Sequence, residues 1–376
     1  MVTNERAPAI DPTEGSTPAQ ALCETVSRQR LALAKRAFNT RRVDLALARR
    51  LLSGVIAPRA GDLLLAQVSA IGQHRFIELP DGRRARLFVG DEVIVCFGNR
   101  YAPDQFEVVV PDSLQPCALA ASGGLAGALL SQHAAMRKPT RIAPLGLLAD
   151  RQGKVLNVRD FALPDVERLP TRKPRVVAVL GTSMNAGKTT TAAALINGLR
   201  GAGLRVAAAK VTGTGSGADI WHMIDAGASP VLDFTDAGLV STWRVGAAEL
   251  RRTFHTLMAH LVEAAPDAMV IEVADGLLQE ETAALIRSET FHAWVDTVIF
   301  AAPDAISATA GVAMLRELKL PVVAISGVVS ASVLASNEAV RASGLEVLTL
   351  DMLSDPDAIA PRIFALPSRA AAGGLA

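Results

Sequence analysis

Residues 181 to 190 read Gly181-Thr182-Ser183-Met184-Asn185-Ala186-Gly187-Lys188-Thr189-Thr190, and here residue types and spacing alone imply a chemistry. Two glycines around a short polar segment let the backbone wrap an oxyanion with its N–H groups pointing inward, and a lysine directly after the second glycine adds a point charge. The segment reads as a phosphate loop for ATP, with GTP as the other candidate. Lys188 serves the β and γ phosphates, and Thr189 offers its hydroxyl to Mg²⁺.

Two later segments supply polar groups of the right kind. Lys210-Val211-Thr212-Gly213-Thr214-Gly215-Ser216-Gly217-Ala218-Asp219 follows an apolar strand-like run, Leu204 to Ala209, and so falls where ligands of open α/β sheets bind. Ala268-Met269-Val270-Ile271-Glu272-Val273-Ala274-Asp275-Gly276 is a strand that delivers carboxylates to its carboxyl end, and Glu272 or Asp275 is the natural second Mg²⁺ ligand beside Thr189. Asp233, Asp236 and Asp304 lie near other strand or loop ends. His222, His255, His260 and His292 stand at no catalytic or metal spacing.

Taken together, the phosphate loop, Lys210, Asp219 and Glu272 resemble the dethiobiotin synthetase family of P-loop enzymes over about 170 residues from Val176. The resemblance implies that Lys210 contacts substrate or phosphates and that Asp219 and Glu272 bind Mg²⁺ with Thr189. The segment Ile271-Glu272-Val273-Ala274-Asp275-Gly276 departs from the family by placing Val273 and Asp275 where that family has glycines. The Asn-Lys-x-Asp base-reading motif is absent, which leaves the base open with ATP favoured.

Strand-like runs at Val176, Leu204, Val231, Met269, Val298, Val322 and Val347 alternate with helical stretches, which predicts an α/β domain with a mainly parallel sheet flanked by helices over 175–376. Before it, short strand-like runs at 63–68, 75–79, 85–89, 92–96 and 105–110, separated by turns such as Pro80-Asp81-Gly82, predict a smaller β-rich, barrel-like domain within 18–150. Helical spacing from Pro18 to Leu52 predicts one or two amphipathic helices ahead of it, and Gly123-Gly124 a turn before an Ala-rich helix. Residues 1–17 read as a tail and 151–174 as a linker.

With 38 basic against 37 acidic residues there is no broad attraction for nucleic acid or an anionic membrane, and Arg41-Arg42, Arg49-Arg50 and Arg83-Arg84 read as solvated faces. No uninterrupted apolar run approaches a bilayer span, and three dispersed cysteines suit reduced, buried thiols in a cytoplasmic protein. The expectation is a Mg²⁺-dependent ATP-binding phosphotransferase or ligase that activates a small-molecule substrate, with no nucleic acid or membrane partner and a possible homodimer. Two alternatives stand beside it: a nucleotide-switched adaptor or chaperone, and a P-loop acyltransferase using acyl-coenzyme A.

Overall fold

The computed structural model describes residues 22–166 and 173–365. The expected tail and part of the expected linker lie outside them. The amino-terminal strands are β1 (Leu22–Thr25), β2 (Lys35–Arg36), β3 (Arg50–Ser53), β4 (Leu63–Ala70), β5 (Phe76–Glu78), β6 (Arg84–Arg86), β7 (Glu92–Phe97), β8 (Arg100–Tyr101), β9 (Phe106–Val109), β10 (Cys117–Ala121), β11 (Leu125–Gln132) and β12 (Thr140–Ala149). Ten of them share one mainly antiparallel sheet, in which β12, β4, β7, β11 and β10 pair in a closed circuit, and β5 and β6 form a separate hairpin.

Period-2 alternation explains why β4 and β7 read as continuous apolar runs, since successive side chains feed different cores. Leu63 and Leu65 of β4 join Ile94 and Cys96 of β7 in one, while Leu64, Ala66 and Val68 join Val93, Val95 and Phe97 in the other.

Two sequence expectations fail here. The stretch from Pro18 to Leu52 forms, among the described residues, only one short helix, α1 (Arg28–Leu33), with two 3₁₀ turns and strands β1 to β3. Its apolar residues Leu31, Val43 and Leu51 reach the same core from separate elements, and backbone bonds such as Val26 N to Arg49 O and Ala37 N to Ile94 O commit it to the sheet. Tertiary pairing overrides the helical period. Likewise no helix follows Gly123-Gly124; the chain turns back as β11, in register with β10 through Ala118 opposite Gly127.

The second half holds a seven-stranded sheet of β13 (Arg175–Gly181), β14 (Val206–Thr212), β15 (Val231–Asp233), β16 (Ala268–Val273), β17 (Thr297–Ala301), β18 (Val322–Ser326) and β19 (Glu346–Val347). The order is β15-β14-β16-β13-β17-β18-β19, with every pairing parallel. Helices α2 (Lys188–Gly201), α3 (Gly217–Asp225), α4 (Ala247–Glu263), α5 (Glu280–Ile286), α6 (Glu289–Trp294), α7 (Ala305–Glu317), α8 (Val333–Ser343), α9 (Leu350–Ser354) and α10 (Pro356–Phe364) complete it. Val177 and Val179 of β13 pack with Leu195, Ile196 and Leu199 of α2, and Val176, Ala178 and Leu180 face the core that holds Phe254 and Met258 of α4.

The two halves meet through a few specific contacts. Val240 of the second half is buried in the amino-terminal core and lies so close to Gly98 that a Cβ there would come within 2.5 Å of its methyl group. Phe38 meets Trp221 edge-on at 6.4 Å. Arg41, expected on a solvated face, instead sits between Asp233 (3.2 Å) and Asp236 (2.7 Å), both buried. Asp233 and Asp236 thereby have a structural partner, and Asp304 caps α7 by accepting from the Ser307 N–H. Among the described residues no helix is long and apolar enough to cross a membrane.

Candidate nucleotide site

Strand β13 runs straight into the loop and α2 follows it, so the first N–H groups of α2 and its positive end face the loop. Counted residue by residue, five residues and not four separate Gly181 from Gly187, so Thr182 stands where the phosphate-loop pattern has its first glycine. Gly187 is obligatory on two grounds: its φ is +95°, and a Cβ would come within 2.8 Å of the Gly327 Cα.

Lys188 is 5% exposed and donates to the carbonyls of Ser183 (2.7 Å) and Asp275 (2.6 Å), which holds its ammonium across the mouth of the loop. Burial pushes its pKa below that of an ordinary lysine, although Glu272 and Asp275 pull the other way. The Thr189 hydroxyl lies 3.0 Å from Glu272 Oε1 and 3.3 Å from Asp219 Oδ1. Lys210, from β14, forms an ion pair with Asp219.

The electrostatics of this group follow from its burial. Glu272 is buried and its pKa is pushed up to about 7, by desolvation first and by the neighbouring Asp219 second. Desolvation works on Asp219 in the same direction, but the Lys210 ammonium overrides it and holds the Asp219 carboxyl below the usual range. Burial likewise opposes the charge on Lys210, and Asp219 and Glu272 together hold its pKa above the ordinary value.

Glu272 Oε2 is buried with no hydrogen-bond partner among the described residues, an arrangement that costs free energy unless a cation or donor fills the place. A threonine hydroxyl and two carboxylates are the oxygen donors that Mg²⁺ takes, so the residues present fit that ion. Among the described residues no cluster of three or more His, Cys, Asp or Glu side chains is placed to hold a metal, so the group here has two carboxylates and a hydroxyl only.

Three residues of the site, Glu78, Asp104 and Arg100, were given no role by the sequence reading. Glu78, at the end of β5, accepts from the Gly217 N–H at 2.8 Å and the Ser216 hydroxyl at 3.3 Å, so it caps α3, the helix that carries Asp219. The approach requires Gly217, where a Cβ would lie 2.6 Å from Glu78 Oε1. Asp104 accepts from the Asn185 side-chain amide at 2.7 Å, directly on the phosphate loop. Arg100 lies buried beside these groups, and Asp275 lines the cavity next to Lys210 and Asp219. Asp104 sits in the polar segment 97–104, whose density of polar and turn residues was a usable signal. Glu78 looked like any other charged strand residue.

A cavity of about 520 Å³ opens between the amino-terminal region and the phosphate loop, with Lys210, Asp219, Asp275 and Met184 on one wall and His74, Arg75, Arg84 and Arg100 on the other.

No family model matches the chain, and no curated protein matches it. Among solved structures it is similar to the signal recognition particle 54 kDa protein of Aeropyrum pernix K1 in complex with GDP, at 18% identity and a TM-score of 0.35 over 55% of this chain and 50% of that one. It is also similar to the signal recognition particle receptor FtsY of Elizabethkingia anophelis in complex with GDP (16% identity, TM-score 0.31, 52% and 55% covered) and to the cell division protein FtsY of Thermotoga maritima (15%, 0.33, 55% and 74%). The chain spans half the length of the first of these, and the likeness is one of fold.

The comparisons correct several expectations. The mainly parallel α/β sheet expected for the second half is present, but nothing in the comparisons ties the chain to dethiobiotin synthetases in particular. The ATP-dependent phosphotransferase or ligase is withdrawn, together with the small-molecule substrate and the exclusion of nucleic acid as a partner. Two of these structures are named for a particle and its receptor, and both hold GDP where ATP was favoured. The physical source of the error is that phosphate loop, lysine and carboxylates report only how phosphates are held, and the same parts serve transferases and switches.

Proposed function

We propose that this chain is a nucleotide-dependent switch, an adaptor whose amino-terminal β region meets a partner protein differently when Mg²⁺ with a nucleoside triphosphate, or only a diphosphate, fills the phosphate loop. One observation carries this reading. The β region touches the site at both places that sense phosphate: Asp104 holds Asn185 of the loop, and Glu78 caps the helix bearing Asp219.

In this reading Lys188 neutralises phosphate charge and the loop N–H groups from Thr182 to Thr190 orient the phosphates. Thr189, Asp219 and Glu272 would hold Mg²⁺, which would supply positive charge to offset that of the phosphates. Lys210 keeps Asp219 ionised and ready to accept, and the depressed pKa of Lys188 is restored toward normal once phosphate charge stands beside it. Any displacement of Asp219 passes through α3 to Glu78 and into the β5–β6 hairpin, a continuous chain of bonded groups.

The test has two parts. Titration of GTP and ATP with Mg²⁺ should show binding of one of them that Lys188→Ala removes. Hydrogen exchange at residues 76–86 and 98–105 should then be slower with the triphosphate than with the diphosphate. Equal exchange in the two states would overturn the switch, and binding of neither nucleotide would overturn the site.

A further inference from the structure

The cavity between the β region and the phosphate loop contains more positive charge than the nucleotide site uses. Arg100 is 6% exposed, yet no carboxylate lies within ion-pair distance of it among the described residues. Its Nη1 donates to the Ala120 carbonyl and its Nη2 to Gln105 Oε1 at 3.0 Å, while the buried Nε–H has no acceptor. A cation buried with an unmet donor is costly unless an anion compensates it. Arg75 and Arg84 line the same cavity from the rim, Arg84 lying over the Phe76 ring, and neither forms an ion pair with a carboxylate among the described residues, although the Arg84 charge acts on Glu78. Across from them Lys210 is matched by Asp219, and no carboxylate among the described residues is ion-paired to the guanidinium wall, on which Asp275 acts at Arg100 and Glu78 at Arg84 only over a longer range.

We propose that this cavity binds a free oxyanion ligand, a carboxylate or a phosphate other than the nucleotide's own, anchored by Arg100 with Arg75 and Arg84 at its mouth. The site adjoins the phosphate loop and shares Met184, Lys210 and Asp219 with it, but Lys188, Thr189 and Thr190 are not among its lining residues and its anchor Arg100 comes from the β region. A volume of about 520 Å³ suits a small organic anion. His74 sets a second condition: its Nδ1–H donates to the Leu119 carbonyl at 3.1 Å, which leaves Nε2 as an acceptor. The ligand that fits therefore carries an oxyanion and a hydroxyl or N–H donor. The proposal concerns binding alone and stands on geometry independent of the switch reading.

Calorimetric titration of the nucleotide-loaded protein with inorganic phosphate and with citrate, which carries both carboxylates and a hydroxyl, tests the proposal. One probe should bind at one site per chain, and comparison of the two separates a phosphate from a carboxylate ligand. Arg100→Gln should weaken it about thirtyfold and the rim variant Arg84→Gln about fivefold, from the loss of charge-assisted bonds. Arg75→Gln, a rim variant outside the β5–β6 hairpin, should also weaken the probe while leaving nucleotide affinity within about twofold. Lys188→Ala should bind the probe while failing to bind nucleotide, which separates failure of this site from failure of the switch. Absence of binding by either probe, indifference to Arg84→Gln, or displacement of the probe by nucleotide would overturn the proposal.

Discussion

Glu78→Gln isolates the bond between the β region and the helix that carries Asp219. The carboxylate is 4% exposed and accepts from the Gly217 N–H at 2.8 Å and the Ser216 hydroxyl at 3.3 Å. A hydrogen bond to a charged acceptor contributes roughly 1.5–3 kcal/mol and one to a neutral acceptor about 1 kcal/mol. Burial opposes the charge, raising the Glu78 pKa despite those bonds, so the low end applies and the variant should lose about 1 kcal/mol of unfolding free energy. Because α3 begins at this cap and Asp219 lies in its first turn, the same looseness reaches the cation site. Affinity for the triphosphate with Mg²⁺ should fall about fivefold, whereas affinity for the diphosphate in EDTA should not change. Urea denaturation and paired titrations read the two effects. Loss of stability with both affinities intact would show that the cap is merely structural and would refute the coupling.

Three further outcomes follow from buried charges. The pKa of His74 is lowered to about 4 by burial and by Arg100, so its neutral form stabilises the fold above about pH 6.5 and that contribution is lost as pH falls toward 4; His74→Gln should remove roughly 1–2 kcal/mol of the pH 7 to pH 5 difference in urea stability. Arg41→Ala leaves Asp233 and Asp236 buried without their main cation and should cost about 3 kcal/mol, part of which Asp236→Asn in the same chain restores, as a double-mutant cycle would show. Glu272→Gln removes a carboxylate whose raised pKa makes the nucleotide-free protein lose stability as pH rises from about 4.5 through 7; the variant should lack that slope in denaturation and should lose Mg²⁺-dependent nucleotide binding.

The second half was legible because its signals are local. All seven strand-like runs form the parallel sheet, and Thr189, Lys210, Asp219 and Glu272 are linked by hydrogen bonds and an ion pair, with Lys188 bonded to the Ser183 and Asp275 carbonyls beside them. Parallel strands buried on both faces announce themselves as β-branched runs, and their carboxyl ends must share one edge. The first half hid its organisation because pairing there is non-local. β2 lies along β7, 58 residues later, and α1 and its neighbours borrow core positions from strands that no short window contains. Residue types could not show that Glu78 would cap a helix 139 positions away, nor that Arg41 would be buried between two aspartates 192 and 195 positions on. The function was less legible still, since the groups that grip phosphates do not say what the grip is for.

Val240, the side chain lodged in the neighbouring core, bears on how the molecule can be taken apart. A fragment starting near residue 173 would strip the cover from Val240 and Trp221 and remove the acceptor that starts α3, while the complementary fragment would be left with an open apolar socket beside Gly98 and Leu125. The P-loop half is therefore not a portable cassette. Heating should melt both halves in one cooperative step, and any shuffling of this architecture has to move the two sheets as a unit.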